Sequence, residues 1–104
     1  MKAYKTKITD VAKQDIRDIK AYITNELHEP VTAVNITNAV LDAIDTLEQM
    51  PDRVALVKDK RLAVQGIRPL YVKNYTIFFR IDNSLDIVEI VRVLYSHRDW
   101  ASIL

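Results

Sequence analysis

The hydrophobic and polar positions change period along the chain, and the first change separates a strand from a helix. Tyr4–Ile8 alternates between residue types and carries Lys5 and Lys7 on one face, which is typical of an edge strand with one wet side. Thr9 or Asp10 can then cap a helix. Its apolar residues recur every three or four positions, at Ala12, Ile16, Ile19, Ile23 and Leu27.

A second helix is predicted from Pro30 to about Met50. Pro30 suits the first turn of a helix, and the preceding His28 and Glu29 lie at the break, where His28 is interpreted as a surface residue. The apolar stripe of this helix consists of Ala33, Ile36, Val40, Ile44 and Leu47. Pro51 ends it. Two amphipathic helices with a short connection predict an antiparallel helix hairpin.

From Leu62 onward the period of the apolar residues is two, which indicates strands. A first strand is predicted over Leu62–Val64 and Ile67–Val72, with a bend or bulge at Gly66. A second covers Tyr75–Ile81, after a hairpin turn at Lys73 and Asn74, and a third runs from Leu85 to about Tyr95. The third strand is apolar on both faces for much of its length, which places it inside the sheet.

This order of elements predicts one α+β domain over residues 1–104. It consists of an N-terminal strand, an antiparallel helix hairpin and a three-stranded antiparallel sheet, with the helices on one face. The sequence contains no cysteine and one glycine, which argues against disulfides, thiolate metal sites and glycine-rich phosphate loops. Two distant histidines offer no metal spacing, so neither metal nor cofactor is expected. No apolar run approaches the roughly 20 residues that span a bilayer, so a cytoplasmic protein is expected.

The charges are unevenly distributed although the formal net charge is only +1. Between Arg53 and Arg80 there are seven basic residues and one acid, a local excess of +6, whereas the first 50 residues carry six basic and eight acidic ones. This basic segment predicts a surface that faces phosphates or an acidic partner. A solvated face of Lys and Arg is the structural alternative.

Candidate chemistry lies around the end of the last predicted strand. The arginines in or beside the three C-terminal strands are Arg61, Arg68, Arg80 and Arg92. Guanidinium groups that converge on one phosphate would stabilise the extra charge of its transition state. Tyr95 and His97 have the same parity, so they share a face if the strand persists. His97 can move a proton near neutral pH, and Tyr95 can stack on a base or act as a base.

Each of these residues also has a structural interpretation. Arg61 and Arg80 are typical of the rim of a sheet. Arg92 lies between two valines, where an unpaired charge is costly, so we expect it to pair with Glu89 or Asp99. Trp100 is interpreted as packing under the C-terminus.

The pattern resembles the RelE/ParE superfamily of toxins from type II toxin–antitoxin modules. The segments that carry the resemblance are RVLYSHRDW, NYTIFFRID, RLAVQGIRPL and the first-helix segment ITDVAKQDIRDIKAYI, and together they span most of the chain. The resemblance implies a growth-inhibiting toxin, associated with plasmid stabilization, that a cognate antitoxin holds inactive. RelE-like members cleave mRNA on the ribosome without metal, whereas ParE-like members poison DNA gyrase.

The leading hypothesis from this resemblance is a metal-independent, ribosome-dependent mRNA endoribonuclease. It implies catalytic roles for Arg68, Arg80, Arg92, Tyr95 and His97, and substrate or phosphate binding by Lys60, Arg61 and Arg98. Many relatives carry His in place of Tyr95, which changes the proton-transfer chemistry. The alternative is a gyrase inhibitor without enzymatic activity, favoured by the RVL-x-x-x-RD ending and the modest net charge. A third reading is a relic that only binds its antitoxin.

Overall fold

The computed structural model describes residues 2–104 as a sheet with helices on both faces. The strands are β1 (Lys5–Ile8), β2 (Arg68–Val72), β3 (Tyr75–Asp82) and β4 (Ile87–Tyr95). The helices are α1 (Asp10–Asn25), α2 (Pro30–Asp45), α3 (Lys60–Val64) and α4 (Trp100–Ile103). Two 3₁₀ turns, Thr46–Glu48 and Pro51–Arg53, follow α2. No helix in this part of the chain is long and apolar enough to cross a membrane.

The four strands form one mixed sheet in the order β1-β4-β3-β2. The three C-terminal strands are antiparallel neighbours, as predicted, and β1 joins them by pairing parallel to β4. The predicted α+β class is therefore confirmed, and so are the edge position of β1 and the internal position of β4. The last strand starts at Ile87 rather than Leu85, because the Asp82 carboxylate accepts hydrogen bonds from Ser84 and from the Leu85 amide and holds a turn there.

The two long helices cover one face of the sheet. The Thr9 hydroxyl accepts a hydrogen bond from the Ala12 amide and caps α1, and Pro30 occupies the first turn of α2. The buried core on this helical face consists of Ala12, Val40, Ile44, Leu47, Ile77, Phe79, Val88, Ile90 and Val93. The regular part of the second helix ends at Asp45, earlier than predicted. The Thr46 hydroxyl donates to the Ala43 carbonyl at 2.6 Å, and the backbone there tightens into a 3₁₀ turn.

The opposite face of the sheet carries the two short helices and a smaller core. Its buried residues are Val57, Leu62, Ile67, Phe78 and Leu94, and Trp100 packs against them. The ring centroids of Trp100 and Phe78 lie 5.2 Å apart, so Trp100 serves as packing, as the structural interpretation predicted. We call this side of the molecule the second face.

The strand predicted over Leu62–Val64 is wrong, because these residues belong to α3. The Asp59 carboxylate accepts from the Leu62 amide and caps the start of the helix. At its end Gly66 has φ +81°, its amide donates to the Ala63 carbonyl, and the Ile67 amide donates to the Leu62 carbonyl. This is a Schellman ending, whose apolar contact joins the buried Leu62 and Ile67.

Candidate functional site

The edge of β4 is completed by α1 where β1 ends. β1 pairs with β4 only as far as Ile8 opposite Ile90. The amide and the hydroxyl of Thr9 both donate to the Ile90 carbonyl, at 3.2 and 2.9 Å. Further along, the Asp15 carboxylate on α1 accepts from the Val93 amide at 3.0 Å. Asp15 therefore satisfies a backbone group that a longer β1 would have paired.

The same carboxylate binds Arg92 in a two-pronged ion pair. The Nε and Nη2 atoms of Arg92 donate to the two oxygens of Asp15 at 2.7 and 2.8 Å. The two side chains are only 23% and 10% exposed, and this hydrogen-bonded partner raises the pKa of Arg92. A bulge in β4, where Val91 is the extra residue, lets the side chain turn towards α1. The expectation that Arg92 pairs with Glu89 or Asp99 is wrong.

The other candidate arginines are also held by groups of the fold. Arg80 forms an ion pair with Glu89 at 2.8 Å. Arg68 donates to the Val54 carbonyl, and Arg61 donates to the Ala101 carbonyl at 2.7 Å. Arg80 therefore links the two neighbouring strands β3 and β4, whereas Arg68 and Arg61 link segments that are 14 and 40 residues apart.

These four arginines do not converge on one point. Arg68 lies opposite Phe79, whose side chain is in the core of the helical face. Arg80 follows Phe79 in β3 and therefore projects from the second face. Arg92 turns towards α1 at the edge of β4, and Arg61 contacts the C-terminal helix. The predicted cluster of cations around one phosphate is not formed.

The end of β4 instead brings aromatic side chains together. The Tyr95 ring lies 5.9 Å from the Tyr75 ring, in an edge-to-face arrangement, and 5.2 Å from the His97 imidazole. The strand ends at Tyr95, so the continuous strand on which a shared face of Tyr95 and His97 depended is absent, and their rings approach each other across the turn that follows. His97 and Arg98 are exposed, and Ser96 bonds across to Thr76 at 2.8 Å. We call Tyr75, Tyr95, His97 and Arg98 the aromatic end.

A family model described as the ParE toxin of type II toxin–antitoxin systems, parDE, matches residues 6–100. The chain belongs to this toxin family. No curated protein sequence shows significant similarity to the toxin. Its fold is similar to a chain of the chromosomal ParDE toxin–antitoxin system of P. aeruginosa, with a TM-score of 0.74 and 20% identity, covering 91% of the toxin and 98% of that chain.

A second similar structure comes from the RelBE2 toxin–antitoxin complex of Mycobacterium tuberculosis. The TM-score is 0.66 and the identity 22%, and the match covers 89% of the toxin and 98% of that chain. At these identities the two structures support the fold. Membership of the RelE/ParE superfamily, which the sequence motifs predicted, is confirmed.

A groove of about 810 Å³ separates the aromatic end of the toxin from α1. The residues that line it are Asp15, Asp18, Ile19, Tyr22, Leu27, Asn74, Tyr75, Val93, Leu94, Tyr95 and Arg98. Burial, together with the nearby phenols of Tyr95 and Tyr22, raises the pKa of Tyr75, so this phenol stays protonated at neutral pH. Tyr75 can therefore donate a hydrogen bond in the groove, and it is not suited to act as a base.

Sequence reasoning missed Tyr22 and Tyr75 as residues of this groove. Tyr75 is in the NYTIFFRID motif, but its position was explained as part of the strand pattern. Tyr22 lies outside the main apolar stripe of α1 and is 53% exposed, which is an unusual place for a large aromatic side chain. Lys60, the remaining predicted phosphate ligand, is the first residue of α3 and is exposed. Within residues 2–104 no cluster of His, Asp and Glu could hold a metal.

Proposed function

We propose that this toxin inhibits DNA gyrase by binding it, as ParE-type toxins do, and performs no chemistry of its own. The family match over residues 6–100 supports this proposal over a RelE-type ribonuclease. We propose further that a cognate antitoxin holds the toxin inactive, since both similar solved structures come from toxin–antitoxin systems. Gyrase and the antitoxin would both meet the toxin in the cytoplasm.

The observation that carries the proposal is the placement of the arginines. Metal-free cleavage of RNA needs several cations close to one phosphate, because the transition state carries extra negative charge. Arg92 is bound to Asp15 and Arg80 to Glu89, and Arg68 and Arg61 donate to backbone carbonyls. Recruiting them to a phosphate would require breaking these contacts, and the Arg92–Asp15 pair is the one among them that joins the sheet to a long helix.

The test is a supercoiling assay with purified gyrase, relaxed plasmid and the purified toxin. We expect the toxin to block supercoiling, and we expect a toxin pre-incubated with its antitoxin to have no effect. In cells, induction of the toxin alone should produce a DNA damage response before translation falls. Unimpaired supercoiling at a molar excess of folded toxin contradicts the proposal.

Ribosome-dependent mRNA cleavage is the second candidate function, and the aromatic end favours it. An imidazole such as that of His97 can transfer a proton, and the Tyr95 ring, whose centroid lies 5.2 Å from that of His97, can stack on a base. Arg98 supplies a cation beside Tyr95. A translation reaction with a defined message tests this candidate. If the toxin is a ribonuclease of this type, it cleaves the translated message, and the His97→Ala variant cleaves it at least about tenfold more slowly.

A further inference from the structure

The charges of the toxin are separated between its two sides. The segment that forms α1, α2 and the following turn, residues 10–48, carries eight acidic and three basic residues, a net charge of −5. Residues 53–80, which include α3, β2 and most of β3, carry a net charge of +6. The helical face is therefore acidic. The positive charge of the toxin lies on other parts of its surface.

Part of the positive charge lies on the uncovered half of the second face. Lys5 and Lys7 alternate in β1 with Thr6 and Ile8, and Ile8 packs on the helical side. Both lysines therefore project from the second face, and both are exposed. Arg80 projects there too and is bound to Glu89, the one acid among them.

More positive charge lies on the segment that leads into α3. Lys58, Lys60 and Arg61 fall within four residues, and all three side chains are exposed. The acid between them, Asp59, is directed at the Leu62 amide as the helix cap. Within residues 2–104 the ion pairs are Lys2–Asp86, Arg80–Glu89 and Arg92–Asp15, so neither Lys58 nor Lys60 has an acidic partner.

Exposed apolar side chains lie in the same part of the chain. Tyr71 on β2 is 71% exposed, Leu56 is 44% exposed, and Val64 on α3 is 89% exposed. Tyr71, Leu56 and Lys58 line one open cleft of about 550 Å³. Aromatic and aliphatic groups surrounded by charged residues are the composition of a protein interface, with an apolar centre and a polar rim. The Tyr71 ring could stack on a base, but the aliphatic Leu56 and Val64 could not, so they favour a protein partner.

We infer that the second face around Leu56, Lys58, Lys60, Arg61 and Tyr71 is the docking surface for an acidic patch on the protein target of the toxin. We call it the basic face. The inference rests on the proposed function and adds to it the surface that the target contacts. This surface is distinct from the acidic helical face and from the groove beside the aromatic end.

The experiment measures the affinity of the intact toxin for purified gyrase, and its inhibition of supercoiling, at two salt concentrations. The test variant is the double charge reversal Lys58→Glu/Lys60→Glu. The matched control is Lys13→Glu/Lys20→Glu, which changes the charge equally at two exposed lysines of α1. A third variant, Tyr71→Ser, removes an exposed apolar group without changing charge. Circular dichroism and thermal unfolding verify that each variant is folded.

We expect the Lys58→Glu/Lys60→Glu variant to bind gyrase at least about tenfold more weakly, with a reduced dependence on salt, while the control stays within about twofold of the wild type. Tyr71→Ser should weaken binding at both salt concentrations. If the wild type binds gyrase and the folded test variants bind equally well, the inference is wrong and the proposed function stands. If the wild type does not bind gyrase, both are wrong. If the toxin binds DNA alone tightly, and this binding requires Lys58 and Lys60, the inference of a protein partner is wrong and the basic face binds nucleic acid.

Discussion

Arg92 and the C-terminal part of the aromatic end, from Tyr95 to Arg98, fall within seven consecutive residues, yet their environments are opposite. Arg92 is largely buried and bound through two hydrogen bonds to Asp15, which also accepts from the backbone of β4. His97 and Arg98 are exposed and, within residues 2–104, form no ion pair. A single reactive-looking stretch of sequence therefore contains a structural ion pair at its start and an available surface at its end.

A charged residue in an apolar strand therefore indicates a structural ion pair before it indicates a catalytic role. Burying the Arg92 guanidinium alone would be costly, so the fold supplies a carboxylate from α1. At the aromatic end, His97 and Arg98 lie beyond the last residue of β4 and are exposed. The following predictions test this contrast between the two regions, beginning with the largest effect.

The largest effect is expected for Asp15→Ala. This change leaves the Arg92 guanidinium and the Val93 amide without their partner, so the free energy of unfolding should fall by about 2–3 kcal/mol. Urea unfolding measures it. The control is Asp18→Ala on the same helix, whose exposed carboxylate should matter by less than about 0.5 kcal/mol. If the free energy of unfolding falls equally in the two variants, Asp15 does not stabilise the fold through Arg92 and Val93.

A smaller effect is expected when the two ion pairs of the sheet are compared by double-mutant cycles. Arg92 and Asp15 are shielded from solvent, so their coupling free energy should be about 1–3 kcal/mol. Arg80 and Glu89 are 49% and 30% exposed, so theirs should be about 0.2–1 kcal/mol and should weaken with added salt. Alanine variants at the four positions and their two doubles complete both cycles. Similar coupling energies would contradict the distinction between buried and exposed arginines.

At the aromatic end, His97→Ala should change the free energy of unfolding by no more than about 0.5 kcal/mol. The imidazole is exposed and its contact is with a neighbouring ring, so its removal leaves no buried group without a partner. Thermal and urea unfolding beside Asp15→Ala measure the difference between the two regions. If the free energy of unfolding falls as much as in Asp15→Ala, His97 has a structural role and does not belong to an available surface.

The smallest effect is expected from pH. Because the pKa of Tyr75 is raised in the folded toxin, the folded protein holds this proton more tightly than the unfolded chain does. The stability from this phenol is fully present below the ordinary value of 10.0 and is lost as the pH rises through the folded pKa. The Tyr75→Phe variant should lose less stability than the wild type between pH 9 and 11, each protein measured against its own value at pH 8. If the free energy of unfolding changes with pH in the same way in both proteins, the Tyr75 phenol is not buried as described.

The regular elements of this toxin follow from local patterns, and the contacts between them do not. The stripes of α1 and α2 predict their elements because one face of each helix is buried. The apolar residues of β3 and β4 predict strands because the centre of the sheet is buried on both faces. The helix α3 was missed because five residues are too few for a period. Its signals were the cap at Asp59 and the glycine at Gly66 that ends it.

The candidate site was predicted only in part, for a similar reason. Tyr95 and His97 are two residues apart, so the turn after β4 keeps their rings close, although the strand on which the prediction depended ends at Tyr95. Asp15 binds a residue 77 positions away, and nothing in the local pattern of α1 points to Arg92. The parallel pairing of β1 with β4, which brings α1 beside the end of β4, is the long-range contact that decides this ion pair.

Arg92 stabilises the fold and takes no part in a reaction, and the double variant Asp15→Asn/Arg92→Gln tests this role. It removes both charges and keeps a carbonyl oxygen for the Val93 amide. We predict that the folded variant inhibits gyrase supercoiling within about twofold of the wild type, because a buried pair replaced as a unit leaves no unpaired charge. A variant that is folded by circular dichroism but no longer inhibits gyrase contradicts this role. Cleavage of mRNA by the wild-type toxin that is lost in an Arg92 variant would contradict it as well.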